Sequence, residues 1–121
     1  FNGFFQKRRA AAEASVELDN RQEADREARL EVEEAVRVAR LELENQWETL
    51  RLAERSHEIA EEALRLAREE YRLGTRSFED LRSSFDQEAE TRRQVIAARY
   101  GFVDALLDLE AAVGEPVGPE R

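Results

Sequence analysis

Apolar and small side chains recur in alternating steps of four and three along the first half of the chain, a pattern typical of the a and d positions of a coiled coil. We call these positions of the first helix the seam: Val32, Val36, Ala39, Leu43, Gln46, Leu50, Ala53, His57, Ala60, Leu64, Ala67 and Tyr71. No proline and only Gly3 precede Gly74. The pattern therefore predicts one helix over residues 6–73, about 100 Å long at ~1.5 Å per residue, which exceeds what a globular core needs.

A second apolar column repeats at strict sevens beside the seam. This outer column consists of Leu52, Ile59, Leu66 and Leu73, with Thr49, Ser56 and Ala63 between it and the seam. Together these positions cover an arc of roughly 150°, wider than a two-stranded contact requires. We therefore expect a helix with two neighbours, as in a wall. On the charged side, Glu61 with Arg65 and Glu33 with Arg37 are spaced for i,i+4 ion pairs.

The stretch "EEYRLGTRSFEDL", residues 69–81, interrupts the helical pattern. Gly74 suits the left-handed residue that ends a helix, and 74–77 form the predicted turn. Ser77 then fits an N-cap, with Asp80 at the capping-box position three residues later. A second helix follows over 78–113, and a frayed tail over 114–121. Its predicted apolar face is Phe78, Leu81, Phe85, Val95, Ala98, Phe102, Ala105, Leu109 and Ala112.

These elements predict an all-α fold, a long antiparallel coiled-coil hairpin with unequal arms. The short arm covers only the half of the long arm nearest the turn. The stretch from Lys7 to about Leu43 is left without a partner inside the chain.

Composition narrows the classes of function. The 121 residues suffice for one modest domain, and 39% of them are charged, with a net charge of −9 and Lys7 as the only lysine. An acidic chain without a basic face is a poor ligand for nucleic acids or anionic membranes. Cysteine is absent, so no disulfide forms. No apolar run reaches the roughly 20 residues of a spanning helix. The start at Phe1, without methionine, suggests a cut in a longer protein, with a processed product or a designed hairpin as the alternatives.

Catalytic chemistry is not expected. The chain has one histidine and no cysteine, and two helices provide no pocket for carboxylate catalysis. His57 falls on the seam, where packing is the simplest role. Glu61 is one turn away, but two groups do not make a metal site. We therefore expect no enzyme activity, no cofactor and no metal.

Three segments together carry a family resemblance. "LAREEYRLGTRSFEDL" followed by "ARYGFVDALLDLEAAVG" resembles the TolC family of outer-membrane efflux channels, and "FNGFFQKRRAAAEA" is similar to that family's transition from a β-barrel strand to a long periplasmic helix. The resemblance covers nearly the whole chain. It implies a trimer that forms a β-barrel in the outer membrane and an α-helical tunnel in the periplasm. This chain would be the periplasmic hairpin of the second repeat in a Gram-negative envelope protein.

The same resemblance implies site residues and partners. Tyr71, Gly74 and Arg76 match the tip that holds the tunnel shut, and Asp80 matches an acid that faces the lumen. A periplasmic adaptor and an inner-membrane transporter would be the partners. The chain departs from the family just afterwards, where "DLRSSFDQ" replaces the common "DLLDAQ", so Arg82 and Ser83 stand in place of leucine and a second acid.

Simpler interpretations of these residues stay open. Asp80 can be only a helix cap, Arg76 only a solvated turn residue, and Tyr71 only a continuation of the seam. For the whole chain, the alternative function is a self-standing structural or adaptor coiled-coil hairpin that mediates protein–protein interaction.

Overall fold

The chain folds as an all-α helical hairpin. The computed structural model describes residues 2–114. Helix α1 spans Asn2–Arg72 and helix α2 spans Phe78–Val113; they pack against each other, and the described residues contain no strand. Helix α2 has the predicted bounds, whereas α1 already begins at Asn2 rather than near residue 6. Of the predicted tail, only Gly114 is described. It caps α2 in the left-handed conformation, with φ of 78°. Residues 115–121 lie outside the described residues.

The chain divides into two units, Phe1–Arg37 and Val38–Arg121. In the first unit, every side chain from residue 2 to residue 35 is exposed. Strong helix formers and local ion pairs support the helix there. Examples are Arg21 with Glu17 at 3.3 Å and Arg37 Nε with Glu34 at 3.0 Å. The hydrogen bond from Arg37 lowers the pKa of Glu34.

In the second unit, the seam of α1 packs against a matching row of α2. The seam positions of this unit are buried or half-buried from Ala39 to Ala67, as predicted, whereas Tyr71 remains exposed. Of the two predicted seam positions in the first unit, Val36 is half-buried and Val32 is exposed. The α2 row steps by three and four without a gap through Leu81, Ser84, Glu88, Thr91, Val95, Ala98, Phe102, Ala105 and Leu109. The sequence analysis included Phe78 and Phe85 in this face, but both are exposed, at 61% and 41%.

Small side chains dominate the contact between the helices. Ala60, Ala67, Ala98 and Ala105 are 0–6% exposed, and Leu64 and Leu81 flank Ala67 in a buried cluster near the turn. Farther from the turn, the rings of Trp47 and Phe102 lie 5.5 Å apart. Beside them, a Cβ on Gly101 would stand 2.7 Å from Oε1 of Gln46.

The outer column does not take part in this contact. Leu52, Ile59, Leu66 and Leu73 are 45–70% exposed, and on α2 Ile96 and Val103 are 47% and 48% exposed. Each helical residue turns the side-chain direction by about 100°. Viewed along α1 from its N-terminus, the outer column lies about 130° from the centre of the seam. Viewed along α2 in the same way, Ile96 and Val103 lie about 130° from the centre of the α2 row, in the opposite rotational sense. Because the helices are antiparallel, the two columns occupy opposite outer edges of the hairpin.

Arg65 and Arg37 bind other glutamates than the i,i+4 partners predicted from the sequence. Arg65 binds Glu62 through Nη2 at 2.7 Å rather than Glu61, and Arg37 binds Glu34 rather than Glu33. Glu61 instead lies 2.6 Å from Nε2 of His57, which leaves Arg65 to the glutamate three residues before it. The hydrogen bond between Glu62 and Arg65 lowers the pKa of the carboxyl and raises that of the guanidinium.

Candidate functional site at the hairpin tip

The turn at the tip is a Schellman motif centred on Gly74. Gly74 has φ of 79°, a backbone conformation that costs residues with a Cβ more than it costs glycine. Its N–H donates to the carbonyl of Tyr71 at 3.0 Å, and the N–H of Thr75 donates to the carbonyl of Glu70 at 2.8 Å. These two bonds satisfy carbonyls that the end of α1 would leave unpaired. The predicted role of Gly74 in ending the helix is confirmed.

Arg76 is tied to the end of the helix it follows. Its Nε and Nη2 each lie 2.7 Å from Oε2 of Glu70, and its side chain is 31% exposed. Glu70 therefore holds the turn twice, because its backbone carbonyl also accepts from the N–H and hydroxyl of Thr75. Arg76 is thus more than a solvated turn residue. The pair spans six residues across a left-handed turn, a spacing that helix-pairing rules do not cover.

Tyr71 leaves the seam as the chain begins to turn. Its ring is 6.2 Å from the ring of Phe78, at an interplanar angle of 60°, and the residue is 45% exposed. The contact joins the last turn of α1 to the first turn of α2 over the loop. Tyr71 is therefore partly packed and partly free to meet a neighbouring molecule.

Ser77 caps α2 as predicted. Its side chain accepts the backbone N–H of Asp80 at 3.1 Å, and Glu79 and Asp80 place acidic charge in the first turn, where the helix dipole favours it. The reciprocal half of a capping box, in which the Ser77 N–H would donate to the Asp80 carboxylate, is not formed among the described residues. The carboxylate of Asp80 is exposed and free to act elsewhere.

The structure thus gathers Tyr71, Gly74 and Arg76 on one turn and sets Asp80 on the first turn of the following helix. Near them, Arg72 binds Glu69 at 2.5 Å, and this hydrogen bond raises the pKa of Arg72. The tip is a compact set of charged and aromatic groups.

A second polar group lies inside the contact between the helices. Nε2 of His57 is 2.6 Å from Oε1 of Glu61, and Nδ1 is 3.2 Å from the hydroxyl of Thr91 on α2. One ligand atom from each of His57, Glu61 and Glu88 lies within 4.8 Å of the others. The sequence analysis named the first two but missed Glu88 and Thr91. The steps of three and four along α2 could have identified them, because this spacing places both residues in the α2 row that faces the seam.

None of the helices, over the residues that the structure describes, is long and apolar enough to cross a membrane. Comparisons with protein-family models, with curated proteins and with solved structures find no match to this chain.

Proposed function

We propose that this chain is the periplasmic tunnel segment of an outer-membrane efflux or export channel subunit of the TolC type. In this role it is a passive conduit without catalytic activity, gated at the hairpin tip and docked by a periplasmic adaptor. The proposal rests on the sequence resemblance. The observation that carries it furthest is a hairpin that leaves apolar columns exposed on opposite outer edges.

Such a hairpin is suited to a wall. Leu52, Ile59 and Leu66 on one edge, with Ile96 and Val103 on the other, would each meet a neighbouring hairpin. Burial of apolar surface contributes roughly 25 cal/mol per Å², so repeated edges favour a closed ring over a free hairpin. In the parent protein, the ring would be a trimer whose subunits each supply two hairpins.

The tip has the groups that a latch needs. Arg76 faces Glu70 through Nε and Nη2, which leaves Nη1 of its five-donor guanidinium for a carbonyl or carboxylate on an adjacent hairpin. The half-exposed Tyr71 can donate its hydroxyl nearby. Charge-assisted bonds of this kind, repeated by symmetry, hold the hairpins inward. Docking of the adaptor, together with its inner-membrane transporter, would replace these bonds and favour the open state.

Bilayer conductance of the full-length parent protein tests the latch. Tyr71→Phe combined with Arg76→Ser is expected to raise conductance, because both cross-hairpin donors are lost. Arg72→Ser is the matched control, since Arg72 lies on the same tip but binds Glu69 through an ordinary i,i+3 pair. Equal conductance in all three proteins would contradict the latch.

Ion selectivity tests the lumen role of Asp80. Asp80→Asn is expected to weaken cation preference, whereas Glu79→Gln, an equal loss of charge on the same helical turn, is expected to change it less. Unchanged selectivity in Asp80→Asn would leave Asp80 as a first-turn acid of α2. A full-length protein that forms no pore at all would favour the self-standing adaptor hairpin.

A further inference from the structure

The polar group around His57 lies within a contact made mostly of apolar and small side chains. His57 and Glu88 have side chains that are only 18% and 15% exposed, one from each helix, and Glu61 lies at the rim at 60%. Desolvated polar groups must be paired, so the partner of each group matters. No residue of this group belongs to the hairpin tip.

Thr91 anchors the ring of His57 from the opposite helix. The Thr91 hydroxyl lies 3.0 Å from the carbonyl of Gln87 and 2.9 Å from that of Glu88, both acceptors on its own helix. The same oxygen lies 3.2 Å from Nδ1 of His57, so this contact fixes the direction in which the other ring nitrogen points.

The other ring nitrogen faces a carboxylate. Nε2 of His57 and Oε1 of Glu61 are 2.6 Å apart. Glu88 brings a second carboxylate toward the same point from the opposite helix.

We propose that His57, Glu61 and Glu88 bind a divalent transition-metal ion of the zinc class, which joins α1 to α2 in the middle of the hairpin. One imidazole nitrogen and two carboxylates form a ligand set that zinc accepts, with a fourth position left for water. At zinc–ligand distances of about 2.1 Å, tetrahedral donor atoms lie about 3.4 Å apart. The donors lie within 4.8 Å of one another, and the 2.6 Å between Nε2 of His57 and Oε1 of Glu61 would widen when an ion binds.

Two neighbours would tune this site. With Nε2 on the ion, Nδ1 would donate to the Thr91 hydroxyl 3.2 Å away and so orient the ring, as partners of metal-bound histidines commonly do. Arg92 competes for the site, because its Nη2 lies 3.7 Å from Oε2 of Glu88. Since the ligands come from both helices, the ion would bind the packed hairpin and stabilise it against unfolding.

Calorimetric titration of the chain with zinc chloride, together with the visible spectrum of the cobalt(II) form, tests the proposal. One ion per chain and a tetrahedral cobalt spectrum are expected. Thr91→Val should weaken zinc binding about 10- to 100-fold, and Glu61→Gln and Glu88→Gln by at least as much. Arg92→Gln should tighten binding, because the competing cation is gone.

Matched controls separate this site from adventitious binding to an acidic chain. Glu62→Gln and Arg93→Gln change neighbouring exposed residues that pair with Arg65 and Glu90, and should leave zinc affinity unchanged. Circular dichroism confirms that each variant is folded. Because Glu61 is exposed, its substitution by glutamine tests the site even if changes at Glu88 disturb packing. Absence of zinc binding, or equal binding in Glu61→Gln and Glu62→Gln, would overturn the proposal.

Discussion

The side chain of Arg76 binds that of Glu70 from across the glycine turn, with Nε and Nη2 each 2.7 Å from the same carboxylate oxygen. The pair connects the loop to the last full turn of α1. Its partial exposure, 31% and 44%, limits its contribution because solvent screens the charges. The contact nevertheless orients the guanidinium that the proposed latch uses.

Loss of this pair should destabilise the tip modestly. Arg76→Ser is expected to lower the free energy of unfolding by about 0.5 kcal/mol, and Arg72→Ser by less, since exposed i,i+3 pairs contribute little. A double-mutant cycle with Glu70→Gln, followed by urea denaturation, measures the coupling. A coupling energy of zero would mean that the contact is not maintained in solution.

Two glycines should respond in opposite directions to the same substitution. Gly74→Ala places a Cβ on a residue with φ of 79° and should lower the free energy of unfolding by about 1 kcal/mol. Gly101→Ala, inside α2, should stabilise by up to about 1 kcal/mol through helix propensity. The atom that the new methyl group meets is the amide oxygen of Gln46, at the end of a side chain that can rotate away. Melting temperatures compare the two variants. A strong decrease in the melting temperature of Gly101→Ala would show that the Gln46 side chain cannot move away.

Burial should decide the cost of shortening an apolar side chain. Leu64→Ala is expected to cost about 3 kcal/mol, because Leu64 is only 6% exposed. Ile59 belongs to the outer column and is 57% exposed, so Ile59→Ala should cost under about 1 kcal/mol in the monomeric chain. Urea denaturation at a dilution that keeps the chain monomeric tests the difference. Equal costs would indicate that the outer column is buried in solution.

Self-association should cover the outer column. Sedimentation equilibrium at micromolar concentration is expected to show oligomers, since neighbours supply burial that a lone hairpin lacks. Leu52→Gln with Ile59→Gln should weaken the association, whereas Glu48→Gln with Arg55→Gln, which alters exposed polar positions, should not. A fully helical monomer of the unchanged chain would contradict the wall arrangement.

Acid should remove the stabilisation of the folded state by the ion pair between Glu62 and Arg65. The hydrogen bond lowers the folded-state pKa of Glu62 below the ordinary 4.5. The stabilisation is therefore fully present above pH 4.5 and is lost as the pH falls through the lowered pKa. Melting temperatures of the unchanged chain and Glu62→Gln should differ at pH 7 and converge at low pH. Glu44→Gln, at an exposed position, serves as the control.

The periodic parts of the fold could be predicted from the sequence. The step of three and four located the seam from Ala39 to Ala67, and the residue types of Gly74 and Ser77 located the turn. These features follow from local chemistry and from helix geometry. Tyr71 has the spacing of the seam but is exposed. At this point α1 is about to end, and the partner helix begins only beyond the loop.

Contacts that join distant residues could not be predicted in the same way. The pair between Arg76 and Glu70 depends on the path of a left-handed turn rather than on helical spacing. Glu88 and Thr91 were missed because polar residues do not stand out as seam positions. Only the alignment of α2 against α1 brings them to His57, and this alignment is a property of two helices rather than one.

The alanine layers of the contact set how closely the two helices approach. Ala60, Ala67, Ala98 and Ala105 each place a single methyl group between the two backbones. Side chains this small favour the short end of the roughly 8–10 Å range of distances between helix axes. Shortening to glycine would cost about 1 kcal/mol in helix propensity, and larger side chains would push the helices apart. The alanines thus act as spacers, which makes these layers sensitive to both shrinkage and growth.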